Sequence, residues 1–147
     1  MTLYDLAQRF VGMTEIAGAK NNGFITWAHF LCGIADATDE IPWCSSWLNA
    51  LAWMLRLPRS KSAAARSWLT VGVPIALADA RPGFDVVIFK RGSGPQPGAD
   101  VIAAPGHVAM FAALEGDRVL VCGGNQGDAV SVASFPVADV LGVRRLA

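Results

Sequence analysis

The sequence predicts an α+β fold, in which N-terminal helices pack on a small antiparallel β-sheet. Apolar residues recur at helical spacing through the first half of the chain, and short runs of β-branched and aromatic residues fill the second half. A tight turn joins two of those runs. Helices first and antiparallel strands after them are typical of an α+β fold and not of an alternating α/β one.

The apolar periodicity predicts four helices in the first half of the chain, over residues 2–11, 21–34, 44–57 and 62–69. The second helix follows an Asn-Asn break, and Pro58 ends the third because proline cannot continue a helix. Ser62 is the expected N-cap of the fourth helix, since its hydroxyl can accept from a free backbone N–H.

The second half of the chain predicts strands over residues 86–90, 107–114 and 118–123. The "EGDR" stretch at 115–118 predicts a hairpin turn between the last two. Residues 129–147 are expected to add one or two further strands. The Gly- and Pro-rich segment 91–106 predicts a long surface loop between two strands.

Length and composition favour one globular domain over residues 1–147, and composition excludes several other classes of protein. Of 147 residues, 53% are hydrophobic and 16% are charged, and the formal net charge is zero. Such a chain is not disordered and has no overall charge that would favour nucleic acid. No apolar run approaches the ~18 residues needed to span a bilayer, so stable membrane insertion is not expected. Three cysteines without CxxC spacing indicate a reducing compartment and no disulfide framework.

The stretch "IPWCSSWLNA" at 41–50 places Cys44 in the first turn of the third predicted helix. Free backbone N–H groups and the helix dipole stabilise an anion there, so they favour the thiolate, which is the nucleophilic form of cysteine. Such a nucleophile needs a base. His107 begins a predicted strand directly after a glycine, whereas His29 lies inside a helix, so His107 is the better candidate.

A third side chain should orient the imidazole, and the hairpin indicates where it lies. With Glu115 opposite Arg118, regular antiparallel pairing places Gln126 across from His107. A bulge at the Gly-Gly pair before "NQ" would instead bring Asn125 to that place. Both amides therefore remain candidates from the strand geometry alone.

Six stretches of the sequence resemble motifs of a known family. In the same order, "EIPWCSSWLNA", "AAARSWL", "VVIFKRG", "GHVAMF", "GGNQGDAVSV" and "VLGVRR" resemble those of small phage and bacterial proteins in the NlpC-like/CHAP superfamily of cysteine, histidine-dependent amidohydrolases and peptidases. The resemblance runs from about residue 15 to 145. It implies a papain-like core and a peptidoglycan hydrolase, often a phage endolysin, that cuts amide bonds of the stem peptide.

Carried over by position, the resemblance implies that Cys44 is the nucleophile, His107 the base and Asn125 the orienting residue, with Gln126 as the alternate. No metal or cofactor is implied. Trp43, beside the nucleophile, is expected to line the substrate cleft, and Gln126 is also a candidate substrate-binding residue. The alternatives are a periplasm-targeted toxin effector with the same chemistry, or a wall-binding module that has lost catalysis.

Three further stretches of the sequence could be parts of a site. The "HFLC" stretch at 29–32 is a possible zinc half-site, but no second pair has matching spacing. The basic run 56–66 is expected to be a solvated connection. The segment 92–106 is longer than the family's usual connection, and we expect it to cover part of the cleft.

The expected partner is bacterial peptidoglycan, and the chain is expected to be a monomer. The N-terminal pattern "MTLYDLAQRF" is that of a domain helix and not of a secretory signal. We therefore expect synthesis in the bacterial cytoplasm without a signal peptide, export through a holin or a secretion machinery, and action in the periplasm or cell wall. The sequence leaves open which peptidoglycan bond is cut.

Overall fold

The structure, a computed structural model, describes residues 1–17 and 20–147. Within those residues three α-helices precede six β-strands, which confirms the predicted α+β class. The helices are α1 (Leu3–Gln8), α2 (Gly23–Leu31) and α3 (Cys44–Met54). Short 3-10 helices cover Ala65–Thr70, Leu77–Asp79 and Val137–Asp139.

All of the described strands form one antiparallel sheet with the order β1-β6-β2-β3-β4-β5. Their bounds are Val73–Ile75 (β1), Asp85–Lys90 (β2), Gly106–Glu115 (β3), Arg118–Gly123 (β4), Ser131–Pro136 (β5) and Val140–Arg145 (β6). Glu115 pairs with Arg118, so the predicted hairpin turn is confirmed.

The first two helices are shorter than predicted, and three further differences have a physical reason. α3 ends at Met54, before Pro58, because Arg56 adopts a left-handed φ of 56° that stops the helix. The fourth predicted helix is a 3-10 helix whose N-cap is Ala64, so Ser62 does not cap it. β1 was not predicted, since it has only three residues and contains a proline, which is tolerated there because the strand is at the edge of the sheet.

The sheet is buried on both faces near its centre. Val86 and Ile88 of β2 pack in the cluster that contains Trp47 on α3, while Val87 and Phe89 pack in a second cluster. Because successive side chains of a strand point to opposite faces, β2 is a continuous apolar run without a polar face. The helices therefore cover one face of the sheet.

The second face is closed by curvature of the sheet itself. The rings of Phe89 on β2 and Phe135 on β5 have centroids 4.9 Å apart, although β3 and β4 lie between those two strands in the sheet. Only a strongly coiled sheet can bring them together. The His107 ring lies 5.1 Å from Phe135 and 6.2 Å from Phe89, so this curvature also packs the start of β3.

α3 is held by buried polar side chains as well as by apolar contacts. Ser45 donates to the Ser62 carbonyl at 2.6 Å and accepts from Trp68 Nε1 at 2.9 Å. Asn49 accepts from the Lys61 backbone N–H at 2.8 Å. Because these groups are removed from water, losing a partner would cost the full desolvation penalty. The contacts fix the position of the helix and therefore of its first turn.

No helix among the described residues combines the length and hydropathy required to cross a membrane.

Gly124→Ala is expected to destabilise the protein. A Cβ at this position would lie 2.7 Å from the ring of Trp43 and 3.2 Å from that of Trp47, and both rings are fully buried. Overpacking of this kind costs about 1–3 kcal/mol. The free energy of unfolding, measured by urea titration, should fall by that amount.

Gly23→Ala is the matched control, because a Cβ there meets nothing within 4 Å and the backbone is unstrained. Its unfolding free energy should stay within about 0.5 kcal/mol of the original. Equal stability of the two variants would contradict the packing described here.

Candidate active site

Cys44 is the first residue of α3. The N-cap residue, Trp43, makes no side-chain hydrogen bond to the first turn, so the N–H groups there are not satisfied by a capping side chain. The thiol therefore lies at the positive end of an eleven-residue helix, where an anion is stabilised.

His107 is the second residue of β3, where it pairs with Phe89 of β2. Its Nε2 lies 2.9 Å from Gln126 Oε1, which leaves Nδ1 for the sulfur of Cys44. The imidazole and the thiol lie close enough for each to shift the pKa of the other, although they are 63 positions apart along the chain. The structure thus brings together a thiol, a ring nitrogen and an amide.

The orientation of the Gln126 amide is fixed by its other end. Gln126 Nε2 donates to the Ser131 carbonyl at 2.8 Å, and the Gln126 backbone N–H donates to the Ala129 carbonyl at 2.9 Å. Oε1 must then face the ring, so His107 Nε2 carries a proton and donates to it. The glutamine therefore sets both the tilt and the tautomer of the imidazole.

The expected contact of Asn125 with the ring is not the one found, and Gln126 makes it instead. Asn125 has a left-handed φ of 57°, and the ladder between β4 and β5 ends at Gly123. The backbone leaves the sheet after β4, so the regular β3–β4 pairing cannot be continued as far as Asn125.

The bulge considered at the Gly-Gly pair lies elsewhere. The register between β3 and β4 shifts on β3, between Phe111 and Ala113, while Gly123 pairs regularly with Ser131. The two glycines instead leave room for neighbouring side chains. A Cβ on Gly123 would lie 2.6 Å from Gln126 Oε1, and one on Gly124 would meet the Trp43 ring. The "GGNQ" motif is therefore a packing requirement of the site.

Trp43 does not line a cleft, and this prediction is wrong. The side chain is 0% exposed and belongs to the cluster between the helices and the sheet. Its Nε1 donates to Glu15 Oε1 at 2.8 Å, which satisfies the polar end of the ring. Trp43 is adjacent to Cys44 in sequence, but its side chain faces the core.

The pKa values of Cys44 and His107 move in opposite directions. Burial alone raises the pKa of Cys44, but the hydrogen bond and charge of His107, with a hydrogen bond from the Val108 backbone, outweigh burial and lower it. Burial alone lowers the pKa of His107, yet the hydrogen bond and charge of Cys44, then the hydrogen bond with Gln126, raise it. Each group therefore stabilises the charged form of the other against the effect of burial.

The other two thiols behave differently. Burial raises the pKa of Cys122 to about 11, and burial also raises the pKa of Cys32. Cys122 lies in the core on β4, and Cys32 is the C-cap of α2. The chain contains three cysteines, and Cys44 alone among them has a lowered pKa.

A cleft of about 350 Å³ opens beside the Cys44–His107 pair. It is lined by Pro42, Arg91, residues 63–65 and residues 103–106, so His107 directly follows one lining residue and Cys44 comes two residues after another. Cys44 and His107 are 3% and 6% exposed. The last four residues of the segment 92–106 thus form one wall of the cleft.

Arg66 holds this wall in place. Its Nε donates to the Pro105 carbonyl at 2.9 Å, and its Nη1 donates to the carbonyls of Gly98 and Val101 at 2.7 and 3.1 Å. Arg66 is 0% exposed, so the expectation that the whole basic run 56–66 is solvated is wrong for this residue. Sequence pattern missed Arg66 because a run of basic residues ordinarily indicates a solvated surface.

Among residues 1–17 and 20–147, no group of three or more His, Cys, Asp or Glu side chains is arranged to hold a metal ion. His29 contacts Ser46 through Nδ1 at 2.7 Å and the Ile41 carbonyl through Nε2 at 3.3 Å. Both ring nitrogens have protein partners, so His29 is a structural residue.

Comparison with solved structures gives a relative of this fold. The chain is similar to the structure of NlpC1 from Trichomonas vaginalis, with a TM-score of 0.56 and 17% sequence identity. The match covers 98% of this chain and 42% of that one, so the chain spans less than half the length of the protein it matches. The NlpC-like fold implied by the sequence resemblance is confirmed. No protein-family model and no curated protein sequence matches the chain.

Cys44 should react with iodoacetamide at a lower pH than the other thiols. Because its pKa is lowered, the reactive thiolate persists as pH falls, whereas Cys122 stays protonated. Alkylation of the folded protein between pH 5 and 9, followed by peptide mass spectrometry, measures the profile of each cysteine. We expect selective labelling of Cys44 below about pH 7.

Two variants separate the amides in the same assay. Gln126→Ala removes the acceptor of the His107 proton, so the Cys44 profile should move toward higher pH. Asn125→Gly is the matched control, since glycine tolerates the left-handed backbone, and the profile should not move. A shift with Asn125→Gly alone would assign the orienting role to Asn125.

Proposed function

We propose that this chain is a cysteine peptidase or amidase that hydrolyses amide bonds of the peptidoglycan stem peptide, with residues 1–147 as one catalytic domain. The observation that supports it is the pairing of Cys44, at the first turn of α3, with His107, each of which shifts the pKa of the other. In this proposal Cys44 is the nucleophile, His107 the general acid and base, and Gln126 the positioning residue.

The proposed reaction begins with attack of the Cys44 thiolate on the amide carbonyl carbon. The carbonyl oxygen becomes an oxyanion, which the Cys44 backbone N–H at the start of α3 can receive. Imidazolium at position 107 donates its Nδ1 proton to the leaving amine nitrogen as the C–N bond breaks. A thioester on Cys44 and a free amine remain.

Hydrolysis of the thioester restores the enzyme. His107, now neutral at Nδ1, takes a proton from water while the oxygen attacks the thioester carbonyl. The C–S bond breaks, the acid product leaves, and the thiolate again faces an imidazolium. Gln126 Oε1 accepts from Nε2 throughout, so the ring does not turn away between the two proton transfers.

The sequence motifs support peptidoglycan as the substrate, and the NlpC-like fold is compatible with it. A phage endolysin that leaves the cytoplasm through a holin pore is the proposed role, with action in the periplasm or cell wall. A toxin effector delivered by a secretion machinery would use the same chemistry on the same substrate.

A wall-binding module without catalysis is the second candidate, and one observation favours it. The side chain of Cys44 is 3% exposed, so a substrate carbonyl must enter through the adjoining cleft to reach the sulfur. A binder would keep the fold and the cleft but not require that access.

Hydrolysis of purified sacculi tests the proposal. The wild-type protein should solubilise peptidoglycan, and Cys44→Ala should abolish the activity because no other side chain can form the thioester. His107→Ala should lower the rate about 10²–10⁴-fold through loss of proton transfer. Mass spectrometry of the released muropeptides identifies the bond.

Cys32→Ala is the matched control, since that thiol lies outside the site, and it should retain full activity. Solubilisation by Cys44→Ala at the wild-type rate would contradict the thiol mechanism. Wild-type protein that sediments with sacculi but releases no muropeptide would instead support the wall-binding module.

A further inference from the structure

The cleft beside the site has walls of unusual composition. Residues 63–65 and residues 103 and 104 are all alanine, and Pro42 and Pro105 complete the apolar part. The wall 103–105 is held in place, because Arg66 Nε donates a hydrogen bond to the Pro105 carbonyl. Methyl-lined walls accept a small side chain and leave little room for a large one.

One charged side chain lines this cleft, that of Arg91. Arg91 directly follows β2, whose last residue, Lys90, pairs with Gly106, the residue before His107. The guanidinium therefore lies at the edge of the sheet where β3 begins. Its position directly after a predicted strand was the sequence signal that could have identified it.

The Arg91 guanidinium has no partner within the described ranges 1–17 and 20–147. No hydrogen bond or ion pair of its side chain occurs there, and the residue is exposed. By contrast, Arg66 binds three carbonyls and Arg145 pairs with Asp85 at 2.7 Å. A guanidinium without protein partners keeps its planar set of donors available, and these fit a carboxylate bidentately.

We propose that this cleft binds the substrate segment next to the scissile amide, and that Arg91 pairs with a free carboxylate on that segment beside a residue with a small side chain. This inference rests on the proposed hydrolase function and names the class of substrate. Stem peptides with a free carboxylate near the cleaved bond are preferred over those in which that carboxylate is an amide.

The charge of Arg91 also acts on the reacting groups. It contributes to the lowered pKa of Cys44, and it opposes the larger effects that raise the pKa of His107. Loss of this charge would change the rate with every substrate and would shift the pH profile. Recognition of a carboxylate would change the rate with acidic substrates alone. The two effects can therefore be separated by comparing two substrates.

The experiment uses sacculi in two forms, untreated and with their carboxylates converted to carboxamides by carbodiimide coupling with ammonia. Wild-type protein should show kcat/KM at least about tenfold higher on the untreated form, because a charged hydrogen-bonded pair is lost on amidation. Arg91→Gln should lower kcat/KM on untreated sacculi to nearly the amidated value, mainly through KM. Arg91→Lys should recover part of the loss, since it keeps the charge without the bidentate geometry.

Arg9→Gln is the matched control, because Arg9 is an exposed arginine at the end of α1, away from the cleft. It should leave the preference unchanged. Equal rates of the wild type on both forms, or an equal loss with Arg91→Gln on both, would overturn the inference.

A binding arm separates failure of this inference from failure of the proposed function. Soluble muropeptides, free and amidated, are titrated against the Cys44→Ala protein, which cannot turn over. Tighter binding of the free form that disappears with the added Arg91→Gln substitution supports the carboxylate site even without hydrolysis. Equal binding of both forms overturns it even if the wild-type protein hydrolyses sacculi.

Discussion

The interaction between the Cys44 thiol and the His107 imidazole is the one on which the site depends. Burial acts against charge on both groups, yet the pair lowers the pKa of the thiol and raises that of the ring. Such a pair is favourable only at a fixed short distance. The buried polar contacts of α3 hold the sulfur, while the packed rings of Phe89 and Phe135 and the Gln126 amide hold the imidazole.

Much of this arrangement follows from local sequence pattern. Helical spacing and the turn at 115–118 were enough to predict the layout and the main hairpin, because each depends on residues close together in the chain. Cys44 and His107 could be proposed as partners because a helix start and a strand start are recognisable without knowing the tertiary fold. The long segment between β2 and β3 was likewise visible as a loop, and it does form a wall of the cleft.

The parts that could not be predicted depend on long-range packing. Continued past the register shift within β3, the ladder would place Asn125 across from His107, but the left-handed turn at Asn125 interrupts it and Gln126 reaches the ring. Neither feature has a strong pattern in the sequence. The burial of Trp43 and Arg66 depends on the direction in which their backbone segments face in the folded protein. Residue type alone indicates that tryptophan is usually buried and arginine usually exposed, so it does not predict the burial of Arg66.

The most direct test of the account is the titration of the two histidines by NMR, in wild-type protein and in Cys44→Ser. His29, whose pKa burial lowers, serves as an internal reference. The account predicts that the His107 ring titrates above the ordinary value of about 6.5 in the wild type and falls once the sulfur is replaced. A His107 ring that titrates alongside His29, or that is unaffected by Cys44→Ser, would contradict the thiolate–imidazolium pair.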